Sequence, residues 1–203
     1  MKTKTKIYSE IRMTDHSNES RTVEFIISTN DKDRHGTVLN MAGWNLDNFN
    51  KNGIVGYNHE VYSSTNPDLI LGTGKAWTEG EGANQKLIGK VTFEPEDVNP
   101  LAEKIFRKVQ NGTLKATSVG FTPVPVNGKY GEERNGTFHY FGQELLEFSI
   151  VNIPSNPNAV KRSAEEIEEM FIIEKRQEEE EVVEDQKINF REKLLLLKTK
   201  KIK

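Results

Sequence analysis

The sequence predicts a mainly β fold of the α+β kind: a barrel-like antiparallel sheet with a few helices over residues 1–160, followed by a charged tail over residues 161–203. Three observations predict it. Short runs rich in Val, Ile, Phe and Tyr alternate in hydropathy and recur between Gly-, Asn- and Pro-bearing turns, as strands do. A clear helical stripe occurs in Asp97–Asn111, where Leu101, Ile105 and Val109 share one face. The composition then breaks at Lys161: Glu dominates residues 165–185, and Lys dominates 187–203 around a Leu194–Leu197 run. That pattern reads as a helical or disordered tail rather than a second core.

Taken in order, Ile7–Ile11 fits a first strand and Thr14–Ser20 a polar turn. Arg21–Ser28 is a stronger strand, with Val23, Phe25 and Ile27 on one face, and the two would form a hairpin. Thr29–Gly36 (TNDKDRHG) is a loop by composition. Trp44, Leu46 and Phe49 at mixed spacing predict a short helix or turn over the sheet. Lys51-Asn52-Gly53 makes a sharp turn into a buried strand, Ile54–His59, whose Val55, Tyr57 and His59 share a face. Tyr62–Pro67 is a loop. Leu69–Trp77 and Lys86–Phe93 pair as a hairpin, with Gly72 and Gly74 marking a bulge or a close approach. Asp97 or Asn99 caps the helix, Pro100 suits its first turn, and Asn111-Gly112 ends it. It delivers the chain into the strand Leu114–Phe121. Thr122–Asn127 is extended, with two prolines that keep it from a sheet centre, and Gly128–Gly136 is a charged loop. Thr137–Phe141 and Glu144–Ile153 are strands, and Pro154–Asn158 stops the sheet.

Bulk properties narrow the function. With 203 residues, a net charge of −3 and 29% charged residues, nothing global favours nucleic acid. The absence of cysteine excludes a thiol nucleophile, a Cys-ligated metal and a disulfide framework, and suits a cytoplasmic setting. Met1–Lys6 is not followed by the apolar core of a signal peptide, and no apolar run is long enough to cross a membrane.

The chemistry centres on LKATSVGF, Leu114–Phe121. Strand alternation places Ser118 between the small residues Ala116 and Gly120, which would leave room above it for a substrate. His59 ends an apolar strand upstream. Glu147 lies in a run of strand formers downstream, where alternation groups it with Leu145, Ser149 and Val151 and turns it inward. A buried carboxylate needs a partner, and an imidazolium is a good one. Serine, histidine and a carboxylate are the parts of an activated nucleophile. The competing structural readings are an ordinary strand serine, a strand-end histidine bonded to backbone, and a Glu147 that is exposed or paired with Lys115. Glu144 is a further carboxylate. S-V-G-F is not the G-x-S-x-G elbow. His59, Glu60 and His139 lack the H-E-x-x-H spacing of a zinc site, and Gly72–Gly74 does not continue as a phosphate loop.

Four ordered pieces add a family likeness: the W-x-L-x-x-F of Trp44–Phe49, N-H-E at Asn58–Glu60, S-V-G-F at Ser118–Phe121, and EFSIVNIPSNPNA at Glu147–Ala159. Together they resemble the caudovirus prohead proteases, the serine proteases that mature phage capsids, over roughly residues 20–160. DRHG at Asp33–Gly36 fits a further element of that family. The resemblance implies an assemblin-like fold and no cofactor or metal. It also implies Ser118 as nucleophile, His59 as general base and Glu147 as its orienting partner. Herpesvirus assemblins use a second histidine in that last role, so His139 and His35 are rivals to Glu147. The implied substrates are the major capsid protein and the scaffold, cut inside the assembling procapsid in the host bacterial cytoplasm. A homo-oligomer is compatible, whereas nucleic acid and membrane are not expected as partners. The tail would target the enzyme into the shell and be trimmed by self-cleavage. A non-catalytic assembly or scaffolding protein that keeps the protease fold is the alternative.

Overall fold

The structure, a computed structural model, describes residues 21–62, 65–163, 165–168, 172 and 187. The strand expected at Ile7–Ile11 and most of the tail lie outside these residues. The chain divides into two units, Met1–Lys161 and Arg162–Lys203. In the second, residues 165–168 are helical. Ser163 and Glu166 form a reciprocal capping box there: the Glu166 amide donates to Ser163 Oγ at 3.1 Å, and the Ser163 amide donates to Glu166 Oε2 at 2.8 Å. Among the described residues no helix is long and apolar enough to cross a membrane.

The first unit is mainly β with a few helices. The β-branched and aromatic runs become β1 (Thr22–Thr29), β4 (Ile54–Tyr57), β5 (Ile70–Glu79), β6 (Lys86–Phe93), β7 (Ala116–Val124) and β10 (Gly142–Val151). They lie in the order β1-β6-β5-β4-β10, with β7 also paired to β10 along its length and the two-residue β3 (Trp44–Asn45) paired to the start of β10. A second sheet orders β2 (Thr37–Leu39), β9 (Thr137–Tyr140) and β8 (Gly131–Arg134).

Two expectations about the sheet need correction. It is mixed rather than antiparallel, because β10 runs parallel to β3 and β4, and β2 runs parallel to β9. Nor do the ladders close into a barrel. Between β1 and β7 stand only isolated bridges, Phe25 with Lys161 and Ala116 with Val160.

The predicted helix is α2 (Pro100–Gln110), and its cap is Asn99, whose side chain accepts from the Ala102 amide at 3.0 Å. Its buried stripe packs Phe106 against Phe93, ring centroids 5.3 Å apart. The short α1 (Asp47–Lys51) follows β3 and buries Phe49 against Phe148. Gly74 makes room for both rings: a Cβ there would meet Phe49 at 2.8 Å and Phe148 at 3.2 Å. The close approach expected at this glycine is therefore side chain on backbone.

The Gly128–Gly136 segment, expected as a loop, contains β8. The signal was Asn135-Gly136, both at positive φ (51° and 70°), which is the two-residue turn of a tight hairpin. β7 also runs farther than expected, through Pro123 opposite Gln143.

Candidate active site

The site is built on the face that β7, β10 and β4 share. Two cross-strand rows define it. Ser118, Ser149 and Gly56 stand opposite one another, and Gly120 stands opposite Glu147. A bulge decides which side chains reach this face. Leu145 pairs with Phe121 and Glu147 with Gly120, so Leu146 is an extra residue and the alternation shifts phase. Leu145 therefore joins Phe148 and Ile150 in the core, while Glu147 and Ser149 point to the opposite side. The expectation that Glu147 shares a face with Leu145 is wrong for this reason.

His59 also differs from its expected place. β4 ends at Tyr57, and Asn58 and His59 form a turn with φ of 49° and 61°, a conformation unusual for residues with a Cβ. Hydrogen bonds hold it: the Asn58 amide donates to Ile150 O at 3.0 Å, and Asn58 Oδ1 accepts from the Asn152 amide at 3.2 Å. The turn swings the imidazole off the strand and over β10.

There the three side chains close a ring. His59 Nδ1 lies 2.6 Å from Glu147 Oε1. Glu147 Oε2 accepts from Ser149 Oγ at 2.6 Å, and Ser149 Oγ accepts from the His59 amide at 3.2 Å. Glu147 is 2% exposed, and these contacts give each of its buried carboxylate oxygens a partner. With Nδ1–H directed at the carboxylate, the free ring nitrogen Nε2 is an acceptor.

Ser118 is buried in β7 and lines, with His59, a cavity of about 430 Å³. Among the described residues no hydrogen bond joins their side chains. Such contacts often tighten only when substrate binds. Room is expected above Ser118 beside the small Ala116 and Gly120; Ser118 does line a cavity, but the space over Gly120 itself is filled, since a Cβ there would collide with the Tyr62 hydroxyl and Glu147 Oε1. Ile27, Ser28 and Thr29 of β1 also line the cavity beside Ser118.

Two features escaped the sequence reading. Ser149 is the second donor to Glu147, and its spacing of two from the carboxylate was the available signal. Tyr62 is 57% exposed as a residue, but its hydroxyl end stands over Gly120 beside Glu147, where loss of solvent first and then the Glu147 charge push it up to about 12.

The rival residues have other partners. His139 lies on β9 beside Val38 and Glu132. His35 lines the cavity, but its Nε2 lies 3.0 Å from Ser155 Oγ, an exposed pair with no carboxylate on the ring. Glu144 accepts from Asn48 Nδ2 at 2.7 Å. Among the described residues no group of His, Asp and Glu is arranged to hold a metal ion.

Residues 84–172 match the caudovirus prohead serine protease family. The family is one of serine peptidases, and the match supports a capsid maturation protease in general. The matched stretch carries Ser118, Glu147 and Ser149, and His59 lies upstream of it. No curated protein and no solved structure matches the chain.

Proposed function

We propose that this chain is a prohead maturation protease of Ser-His-Glu type, with Ser118 as nucleophile, His59 as general base and Glu147 as the residue that orients His59. The observation that carries it is the 2.6 Å pairing of His59 Nδ1 with buried Glu147 on the wall of the cavity that Ser118 lines. Glu147 holds the tautomer in which Nε2 is free to take a proton, and it stabilises the imidazolium that results.

The reaction is acyl transfer. Ser118 Oγ attacks the scissile carbonyl carbon while His59 Nε2 takes its proton. The C–N bond then breaks, His59 returns the proton to the leaving amine, and an acyl-serine ester remains. Water, deprotonated by His59, hydrolyses the ester and restores the serine. Tyr62, neutral and close to Glu147, adds a protonated hydroxyl beside the carboxylate without adding charge.

The substrates are the major capsid protein and scaffold, cut within the assembling shell, and residues 1–160 are the protease domain. Residues 161–203 target the enzyme to that shell and are trimmed by it. An assemblin-like fold rests on the resemblance alone.

Co-expression with the capsid and scaffold proteins of the same genome tests the proposal. Wild type is expected to cut them, and Ser118→Ala and His59→Ala to leave them intact while still folded. Ser155→Ala, which breaks the other Ser–His pair, is expected to cut normally. Uncut partners with wild type and variants alike, in shells that still assemble, would favour the scaffolding alternative.

A further inference from the structure

Ser149 is fully buried in β10, in the cross-strand row that it shares with Ser118 and Gly56. Its hydroxyl bonds both His59 and Glu147: Oγ accepts from the His59 amide at 3.2 Å and donates to Glu147 Oε2 at 2.6 Å. A hydroxyl has one proton to give. The amide can only donate and takes a lone pair, so the proton is directed at the carboxylate. The other carboxylate oxygen, Oε1, is left for His59 Nδ1 at 2.6 Å. The bonds therefore run from the backbone of His59, through Ser149 and Glu147, to the ring of the same histidine.

Two needs of the site meet in this one hydroxyl. The terminal torsion of a glutamate is soft, so a single contact at Oε1 would let the carboxylate turn about its last bond. A donor on each oxygen fixes its plane. His59, at φ of 61°, holds a backbone conformation that costs free energy in a residue with a Cβ, and the amide bond to Ser149 helps to keep it there. The neighbouring strand leaves room for the hydroxyl: a Cβ on Gly56 would meet Ser149 Oγ at 2.9 Å and Val61 Cγ1 at 2.7 Å.

We propose that Ser149 is a positioning residue, whose hydroxyl locks the Glu147 carboxylate in the plane that meets His59 Nδ1 and pins the turn that carries the imidazole. This rests on the protease reading for the reaction that the residue serves. Ser149 acts through Glu147 and His59, and its removal has a signed consequence. A hydrogen bond given to a carboxylate favours the charged form and weakens its hold on a proton. Without that bond the His59–Glu147 pair keeps its proton to higher pH, whichever member carries it. Tyr62, which stands beside Glu147, and Asp31, Asp33 and His35 are the other titratable residues lining the cavity. They are the same in wild type and variant, so the comparison isolates Ser149.

The test follows full-length wild type, Ser149→Ala and Ser149→Thr by proton NMR titration of the His59 ring, assigned with His59→Gln. Kinetics are measured on overlapping peptides of the major capsid protein of the same genome. In Ser149→Ala the titration midpoint is expected to rise by about half a pH unit to one unit. Its kcat is expected to fall by roughly 10–100-fold, with KM changed by less than about threefold. Ser149→Thr, which keeps the hydroxyl, is expected to restore the midpoint and most of the rate. Ser149→Cys, similar in size but a weak donor, is expected to give an intermediate midpoint and covers the case in which alanine prevents folding. A serine that only fills space would lower the melting temperature and leave the midpoint where it is. An unmoved midpoint in the folded variants, or alanine and threonine variants that titrate alike, would overturn the proposal. A midpoint that rises with alanine and returns with threonine, while wild type cuts no peptide, would keep Ser149 as the positioner of the pair and remove the protease reading.

Discussion

Two buried or nearly buried glutamates in this molecule are paired in opposite ways. Glu103, on α2, meets two guanidinium groups: Arg21 Nη1 at 2.5 Å and Arg107 Nε at 2.6 Å. Arg21 also donates to Phe93 O and Glu94 O and lies over the Phe106 ring, tying helix to sheet. Glu147 is more deeply buried, 2% exposed against 12%, and its hydrogen-bond partners among the described residues are His59 and Ser149. A guanidinium is charged at every pH of interest, so the Glu103 cluster fixes geometry and holds no movable proton. An imidazole gains and loses its proton near neutrality. The difference separates a carboxylate that serves the fold from one suited to orienting an imidazole.

The largest expected effect comes from Glu147→Gln. Ser149 Oγ donates to Glu147 Oε2, which favours the amide oxygen on that side and leaves the NH₂ facing His59 Nδ1. Nδ1 must then accept, Nε2 carries the proton, and it cannot take one from Ser118. Activity on a capsid-derived peptide is expected to fall by roughly 10²–10⁴, while the far-UV spectrum stays native. A variant within threefold of wild type would remove Glu147 from the mechanism.

Gly120→Ala should follow. Its Cβ would meet the Tyr62 hydroxyl and Glu147 Oε1, so the carboxylate must shift from His59. A drop in kcat of roughly 10–100-fold is expected, with a stability cost of ~1–3 kcal/mol. Steady-state kinetics beside thermal melts separate the two effects.

Glu103→Gln should do the reverse, lowering stability by on the order of 1–2 kcal/mol and leaving kcat unchanged. Hydrogen bonding to Arg21, then to Arg107, holds the Glu103 carboxyl below its ordinary value of 4.5. The folded pKa is thus below the unfolded one. The stabilisation is present above about pH 4.5 and is lost as the pH falls through the lowered folded value. Urea melts at falling pH should show wild type losing its advantage over the variant in that acid range.

These two carboxylates were not equally legible in sequence. Glu147 stood out because a strand-forming run surrounds it and because the likeness at Glu147–Ala159 points to it. Its correct face did not, since the bulge at Leu146 inverts the alternation, and a bulge is set by the pairing of two distant strands rather than by local composition. Glu103 drew no attention, because a helical glutamate four residues before an arginine looks like an ordinary surface pair. The strands β1, β5, β6 and β10 and the helix α2 followed from periodicity. β8 did not, because charge and glycine hid it, and only Asn135-Gly136 marked its turn. The left-handed turn that carries His59 was also missed: a short apolar run ending in histidine looks the same whether the strand continues or bends.

The smallest expected effect sharpens the comparison at alkaline pH. Burial is the larger cause that raises Tyr62 from 10.0 to about 12, and the Glu147 charge is the smaller one. Between these values the unfolded chain has released the proton and the folded chain has not, so stability falls as pH rises across that window. Tyr62→Phe carries no such proton and should not share the decline. The ultraviolet titration of wild type minus that of Tyr62→Phe isolates this hydroxyl from the other tyrosines. Repeating it with Glu147→Gln should move the midpoint back toward 10 by less than half of the shift, because burial remains when the charge is gone. A full return would make the Glu147 charge, and not burial, the dominant cause. No change would mean that Glu147 is too well neutralised by His59 and Ser149 to act on a neighbour, which would bring it nearer to Glu103 in kind.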